Sequence, residues 1–389
     1  MTRVSVLPPN FIGTVMEICT ADFRHFPGPA NIFTAVLALA LAASPPGAAG
    51  APETPWATPT RVDLAPGVFQ FISPDVAGNV VGNSIAIVTD SDVVVFDTTL
   101  LPATATSLLN ELRTITSKPV RVVVNSHWHP DHSGGNETFA TSFPDLEIIS
   151  SLQTRQLMEG TAKVYVKTLE FELAQTNQEI NKELKSGKTS DGKPLAAKDR
   201  EDLRAQLGME DRFLKDFKAE HILLPTVTFD DTLTLYHGGR ELRLLALPGH
   251  TAGDVALYLP AEKILLTGDL LAYPVPFCAD SHPSAWIASL EVLSRLDAST
   301  IVPGHGAAQH DHQYLTLVLN SLQAVRNQVH QALDRGLTLS ETQKAVHLES
   351  IRRSFTHDDP DLNAQFDGNF APVVRQIYDE ATEGLEQYQ

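Results

Sequence analysis

The stretch VVVNSHWHPDHSGGN, residues 122–136, puts three histidines and an aspartate within six residues, directly behind an apolar β-branched run. Such a run reads as a buried strand, and the abrupt change to polar residues marks its carboxyl end. A fold that accommodates this loop must deliver ligand-type side chains from the end of a buried strand to one point. The layout recurs downstream. LPGH ends at His250, LTGD at Asp269, and VPGHG contains His305, each behind an apolar run and beside a glycine that lets the backbone approach a centre. Of the fourteen histidines, five occupy such loops: His127, His129, His132, His250 and His305. Asp131 and Asp269 stand in equivalent places.

These residue types point to metal chemistry. Imidazole nitrogen and carboxylate oxygen bind first-row divalent ions, zinc above all. His127 and His129, at i and i+2 of an extended segment, point the same way and can chelate one ion. Asp131 and His132 follow a turn at Pro130 and can face a neighbouring position. Seven ligands exceed the needs of one tetrahedral ion and suit two, with one carboxylate shared.

HWHPDH at 127–132, followed in order by LPGH, TGD and PGHG, resembles the metallo-β-lactamase-fold hydrolases, which include glyoxalase II, lactonases and β-lactamases. The resemblance covers residues 62–306 outside a central charged segment. It implies an α/β fold, the four-layer αβ/βα sandwich. It also implies two metal sites: His127, His129 and His250 in the first, Asp131, His132 and His305 in the second, with Asp269 bridging. The usual metal is zinc, two ions per chain, with iron or manganese in some members. The activity implied is attack by a metal-bridging hydroxide on an activated carbonyl (ester, thioester, lactone or β-lactam), with Asp131 as the catalytic proton carrier. Asp97, closing the run VVVFD, matches a recurring strand-end aspartate and is expected to support a ligand or the local structure. Tyr273 is offset by one from the tyrosine that some lactonases use. Trp128 is expected as a pocket wall, Cys278 as a small buried residue, and His282 as a capping or surface residue.

The chain divides along its length. Strand patterns fill 62–99 and 120–126, with a helical spacing at 102–116 between them. Residues 152–219 carry one stripe at Leu169, Leu173, Ile180 and Leu184 and another at Leu203, Leu207, Leu214 and Phe217, around the turn cluster SGKTSDGKP. This predicts a helical hairpin inserted into the 62–310 domain, either a lid or a solvated surface element. Strands resume at 226, and 311–389 reads as a C-terminal helical extension with a capping box expected at Ser340 and Gln343.

Composition narrows the functions. With 29 basic residues against 47 acidic, the formal charge is −18. That balance repels nucleic acid and anionic headgroups, so neither nucleic acid nor stable membrane insertion is expected, and the partner that the resemblance implies is a small-molecule carbonyl substrate. The alternatives are an iron-dependent redox enzyme on the same fold and a metal-dependent phosphodiesterase. His129 stands where the flavin-partnered di-iron members carry glutamate, which counts against the first; charge counts against the second. Asp269, and the absence of a lysine from LLAYPVP, argue against efficient β-lactam turnover.

Residues 32–43, IFTAVLALALAA, with Arg24 and His25 before them and small residues after, have the layout of a secretory leader spanning 1–51 and imply a periplasmic or secreted protein. Mass spectrometry of the mature protein is therefore expected to find an N-terminus near Pro52; retention of residues 1–51 in the cytosol would refute export.

Overall fold

The computed structural model describes residues 58–76, 80–190, 192–217 and 222–383. The leader, Cys19 and the cleavage point near Pro52 lie outside them.

Among the described residues the strands form two sheets. The first takes β1 (Thr60–Ala65), β2 (Val68–Ile72), β3 (Ser84–Val88), β4 (Val93–Phe96), β5 (Val120–Val124), β6 (Glu147–Ser151) and β7 (Val227–Phe229) in chain order. Its first four strands are antiparallel, joined by short connections, and its last four are parallel. Parallel neighbours need crossovers, and helices supply them: α1 (Pro102–Ile115) before β5, then α2 (Pro130–Ser133) and α3 (Asn136–Ser142) before β6. The second sheet runs antiparallel through β8 (Thr232–His237), β9 (Arg240–Ala246), β10 (Val255–Leu259) and β11 (Ile264–Leu266). Strand β12 (Thr300–Val302) pairs parallel with β11 at its edge.

Alternation along the strands sets the layers. On β4, Val94 and Phe96 join the apolar cluster between the sheets, whereas Val93 and Val95 pack with Leu108, Leu109 and Leu112 of α1. On β10, Val255, Leu257 and Leu259 face the first sheet, and Ala256 and Tyr258 face outward. Strands buried on both faces explain why the sequence shows continuous apolar runs. The result is helix, sheet, sheet, helix: the αβ/βα sandwich.

The segment after β6 forms α4 (Leu152–Leu157), a π-helical turn at Met158–Ala162, α5 (Lys163–Ser186) and α6 (Ala197–Asp216). On α5 the predicted stripe is buried at Leu169, Leu173 and Ile180, with Val166 in line. The stripe predicted on α6 is displaced: Leu203, Leu207 and Leu214 are half-buried, and Phe213 and Glu210 are the buried residues. The reason is that Phe213 stacks on Phe217, with ring centroids 4.8 Å apart. Both then enter a cluster with Val81, Leu100 and Leu101 at the base of the hairpin.

Helices α7 (Pro283–Ser294), α8 (Gln313–Asp334), α9 (Leu339–Ala345), α10 (Glu349–Thr356), α11 (Pro360–Asn369) and α12 (Val373–Glu383) cover the outer face of the second sheet. The cap of α9 is Thr338 with Glu341, not Ser340 with Gln343. Glu341 accepts from the Thr338 backbone N–H at 2.9 Å, and a carboxylate suits a helix N-terminus better than an amide does. Among the described residues no helix is long and apolar enough to cross a membrane.

Leu257 is fully buried between the sheets. Leu257→Ala is expected to lower unfolding stability by about 2–5 kcal/mol in urea titration; a loss below about 1 kcal/mol would contradict the inter-sheet core.

Candidate metal centre

Five strands deliver the site. Asp97 follows β4; His127, His129, Asp131 and His132 follow β5; His250 follows β9, Asp269 β11 and His305 β12. Contacts across the two sheets hold these ends together. The Val255 N–H donates to the Ser126 carbonyl at 2.7 Å and the Asn83 N–H to the Gly304 carbonyl at 2.7 Å. The Asn83 amide also donates to the carbonyls of Pro303 and Gly306 at 2.9 and 2.8 Å. Gly304 is required by close approach, because a Cβ there would overlap the Asp269 carboxylate. A Cβ on Gly82 would lie 2.5 Å from the His132 ring.

The seven predicted ligand residues come together in this one place. His129 Nδ1 lies 3.0 Å from both His127 Nε2 and His250 Nε2. His132 Nε2 lies 3.2 Å from His305 Nε2, 3.3 Å from Asp131 Oδ2 and 3.3 Å from Asp269 Oδ1. His305 Nε2 is 3.2 Å from Asp131 Oδ2 and 3.2 Å from Asp269 Oδ2. Asp269 Oδ2 is also 3.7 Å from His250 Nε2, so this carboxylate lies between the two groups. Three sets have donor atoms mutually within 4.8 Å: His127, His129 and His250; His127, His132 and Asp269; Asp131, His132 and His305.

The far side of each ring decides what the near side offers. His132 Nδ1 donates to Asp97 Oδ2 at 2.8 Å. The Ser126 hydroxyl donates to the same oxygen at 2.6 Å and accepts from His127 Nδ1 at 2.9 Å. The Ser126 backbone N–H donates to Asp97 Oδ1 at 2.7 Å. One buried carboxylate thus orients an imidazole in each group. Asp97 is reached by a left-handed backbone turn, φ 63°, repeated at Thr99 with φ 72°, a local strain that the surrounding hydrogen bonds offset. His250 Nδ1 donates to the Phe277 carbonyl at 3.0 Å. With Nδ1–H engaged on both His127 and His250, their Nε2 lone pairs aim at His129 Nδ1. A proton there serves one such contact well, whereas a cation serves all three.

Electrostatics separates the two groups. Burial, then the charges of His132 and His129, holds His127 well below the usual imidazole range. Burial, then His250, pushes His129 down to about 3. These nitrogens are neutral at pH 7 and open to a metal. In the other group burial works against charge but the carboxylates prevail. Asp131, Asp269 and Asp97 raise His132 well above its ordinary value, and Asp269 with Asp131 raises His305 to about 9. Despite burial, Asp131 and Asp269 are held far below the usual carboxylate range by His132 and His305. That pocket demands positive charge, and its oxygen and nitrogen donors fit a divalent ion.

The other residues singled out from sequence fall around this centre. Trp128 is buried, with its ring centroid 4.3 Å from that of His129. Cys278 is fully buried and burial pushes its thiol well up, so it behaves as a small core residue. His282 is the residue before α7, and its N–H donates to the Gly249 carbonyl at 2.7 Å. Tyr273 is half-exposed, donates its backbone N–H to the His305 carbonyl at 3.1 Å, and sets its ring against Tyr314.

Sequence reasoning missed the supports behind His250. Its partner is a backbone carbonyl, which leaves no residue-type signal. The segment carrying that carbonyl is held from the C-terminal helices. The Asn369 carbonyl accepts from the Cys278 N–H at 2.8 Å, the Gln376 amide donates to the Ala279 carbonyl, and Glu380 accepts from the Ser284 N–H at 3.1 Å.

A family model described as the metallo-beta-lactamase superfamily matches residues 77–305, which include all seven of these residues. The chain belongs to that superfamily. The chain is 25% identical to a linear primary-alkylsulfatase from Pseudomonas sp. over 286 residues, 70% of this chain and 50% of that protein. It is 31% identical to a hydroxyacylglutathione hydrolase from Mesorhizobium japonicum over 106 residues, 26% of this chain and 42% of that one. It therefore spans half or less of the length of these curated relatives. Two solved structures share its fold. A metallo-beta-lactamase family protein from Thermus thermophilus is 20% identical with a TM-score of 0.52, covering 83% of this chain and 95% of that one. The sec-alkylsulfatase Pisa1 from Pseudomonas sp. is 17% identical with a TM-score of 0.57, covering 85% and 51%.

Asp97→Asn is expected to lower metal affinity about 10- to 100-fold in chelator competition, because it weakens the acceptor behind both His132 and Ser126. An unchanged affinity would remove Asp97 from the support of the site.

Proposed function

We propose that the protein is a dinuclear zinc-dependent hydrolase of uncharged carbonyl substrates: an ester, thioester or lactone. The observation that carries this reading is Asp269, one carboxylate placed between a group of three imidazoles and a group of two imidazoles and a carboxylate. His127, His129 and His250 would hold one ion and Asp131, His132 and His305 the other, with nitrogen and oxygen donors of the kind zinc takes. When bound, such ions polarise a carbonyl oxygen and lower the pKa of water toward neutrality.

The chain's own groups do the rest. Asp97, Ser126 and the Phe277 carbonyl fix the donor atoms, so no reorganisation is needed at the moment of reaction. Asp131 is less buried than Asp269, its side chain 20% exposed against 6%, and its Oδ2 faces both His132 and His305. It is the group placed to take a proton from the attacking water and pass it to the leaving group. No serine or cysteine nucleophile is needed.

Charge around the centre favours an uncharged substrate. Asp280 Oδ2 lies 3.9 Å from His129 Nε2, and Asp75, its carboxyl raised by burial, interacts with His305. Further carboxylates at the rim repel a permanently anionic group. A second reading, sulfate-ester hydrolysis, is favoured by the alkylsulfatase likeness, which spans 70% of this chain.

Purified protein is expected to carry two divalent ions per chain, mainly zinc, and to lose hydrolysis on chelation; full activity without metal would end this mechanism. Across a panel of aryl ester, thioester, lactone, penicillin, alkyl sulfate and phosphodiester, kcat/KM is expected to be highest for an ester, thioester or lactone. Preferred turnover of the alkyl sulfate or the phosphodiester would overturn the carbonyl reading. Asp131→Asn is expected to remove most activity while the fold survives.

A further inference from the structure

The hairpin meets the centre at Trp128. Trp128, between two ligands, packs on Met158 and Ala162, the two ends of the π-helical turn. A π turn inserts an extra residue into helical hydrogen bonding and so rotates everything after it by about 100° relative to an uninterrupted helix. The residue it brings against Trp128 is Tyr165, with ring centroids 5.8 Å apart and planes at 80°. Trp128 is 5% exposed, but Tyr165 is 39% exposed, so the tyrosine presents ring surface to solvent where the tryptophan does not.

Tyr165 stands at the mouth of the site. The charges of Asp131 and Asp280 reach its hydroxyl and, after burial, raise its pKa; the ring is neutral at any physiological pH. Phe277 approaches from the opposite strand system, its ring centroid 6.0 Å from that of His250 and 6.5 Å from that of His129. The His127–His129–His250 side of the centre is thus flanked by Trp128, Tyr165 and Phe277. The His305 side faces Asp75.

We infer that Tyr165 is the hairpin's specificity-determining residue, its ring packing with Phe277 against an aromatic or bulky apolar acyl group of the substrate. This rests on the carbonyl-hydrolase reading and deepens it: the substrate class becomes esters or lactones whose acyl part is large and uncharged. The hairpin then acts on substrate choice by supplying one wall, not by covering the site.

The test uses the metal-loaded full-length protein and two neutral esters with one leaving group, 4-nitrophenyl phenylacetate and 4-nitrophenyl acetate. Wild type is expected to prefer the phenylacetate through KM. Tyr165→Ala is expected to cut that preference about five- to tenfold, the size of one lost aromatic contact, and Tyr165→Phe to keep it. Binding of phenylacetamide, which the protein is not expected to turn over, is followed separately by tryptophan fluorescence and should weaken by the same factor in Tyr165→Ala. An unaltered preference and unaltered binding in Tyr165→Ala would overturn the assignment. Loss of the binding contrast alone, with esters still hydrolysed, overturns it and leaves the carbonyl reading standing. A retained binding contrast with neither ester hydrolysed supports the wall and overturns the carbonyl reading instead.

Discussion

Three imidazole nitrogens whose lone pairs face one another cannot be gathered by their own attraction. Like groups repel, and each loses hydration on burial. The geometry must be enforced from outside, and the outer shell of hydrogen bonds enforces it. Asp97 is the clearest instance: one carboxylate receives His132 directly and His127 through Ser126. Its own position is fixed by a strained turn at the end of β4. The arrangement is stable only because two sheets, packed through a dry apolar layer, leave the strand ends no freedom to relax apart.

The two-sheet design also explains the division of labour between the metal groups. The β5 loop reaches into both groups, and residues from the second sheet complete each: His250 the first, His305 the second, and Asp269 the space between. Within each half the strand-end loops approach very closely, hence Gly82 against His132 in the first and Gly304 against Asp269 in the second. Replacing either glycine displaces a candidate ligand without substituting one, so these close approaches are as demanding as the ligand positions themselves.

The residues gathered at the candidate centre were legible in the sequence because strand ends are legible: an apolar β-branched run that stops at a histidine or aspartate beside glycine carries its own geometry. The layers followed from the same runs. What could not be read was anything set by helix rotation or by backbone atoms. Of the stripe predicted on α6, Phe217 is buried at the base of the hairpin and Leu214 packs half-buried against the same cluster, whereas Leu203 and Leu207 give way to Phe213, which stacks on Phe217. Tyr165 could not be placed because the π turn before it shifts the helical phase, and no residue type announces a π turn. The cap of α9 moved to Thr338 because two candidate boxes overlap in sequence and only the backbone chooses between them. The Phe277 carbonyl is common to all residue types and has no sequence signature.

The contacts from Asn369, Gln376 and Glu380 to the segment 278–284 have a consequence for how this architecture can be divided. All seven candidate ligand residues precede residue 306, so the segment that matches the family contains the full candidate set. The carbonyl that orients His250 is nevertheless held by hydrogen bonds from helices far along the chain, 96 and 97 residues beyond their partners in two of the three contacts. The coordination sphere and the family motif therefore have different boundaries. A terminal region that would pass for dispensable packing is, for one ligand, the outermost ring of the site. Exchanging the C-terminal helices of this chain for another set would remove the supports of the segment that orients His250.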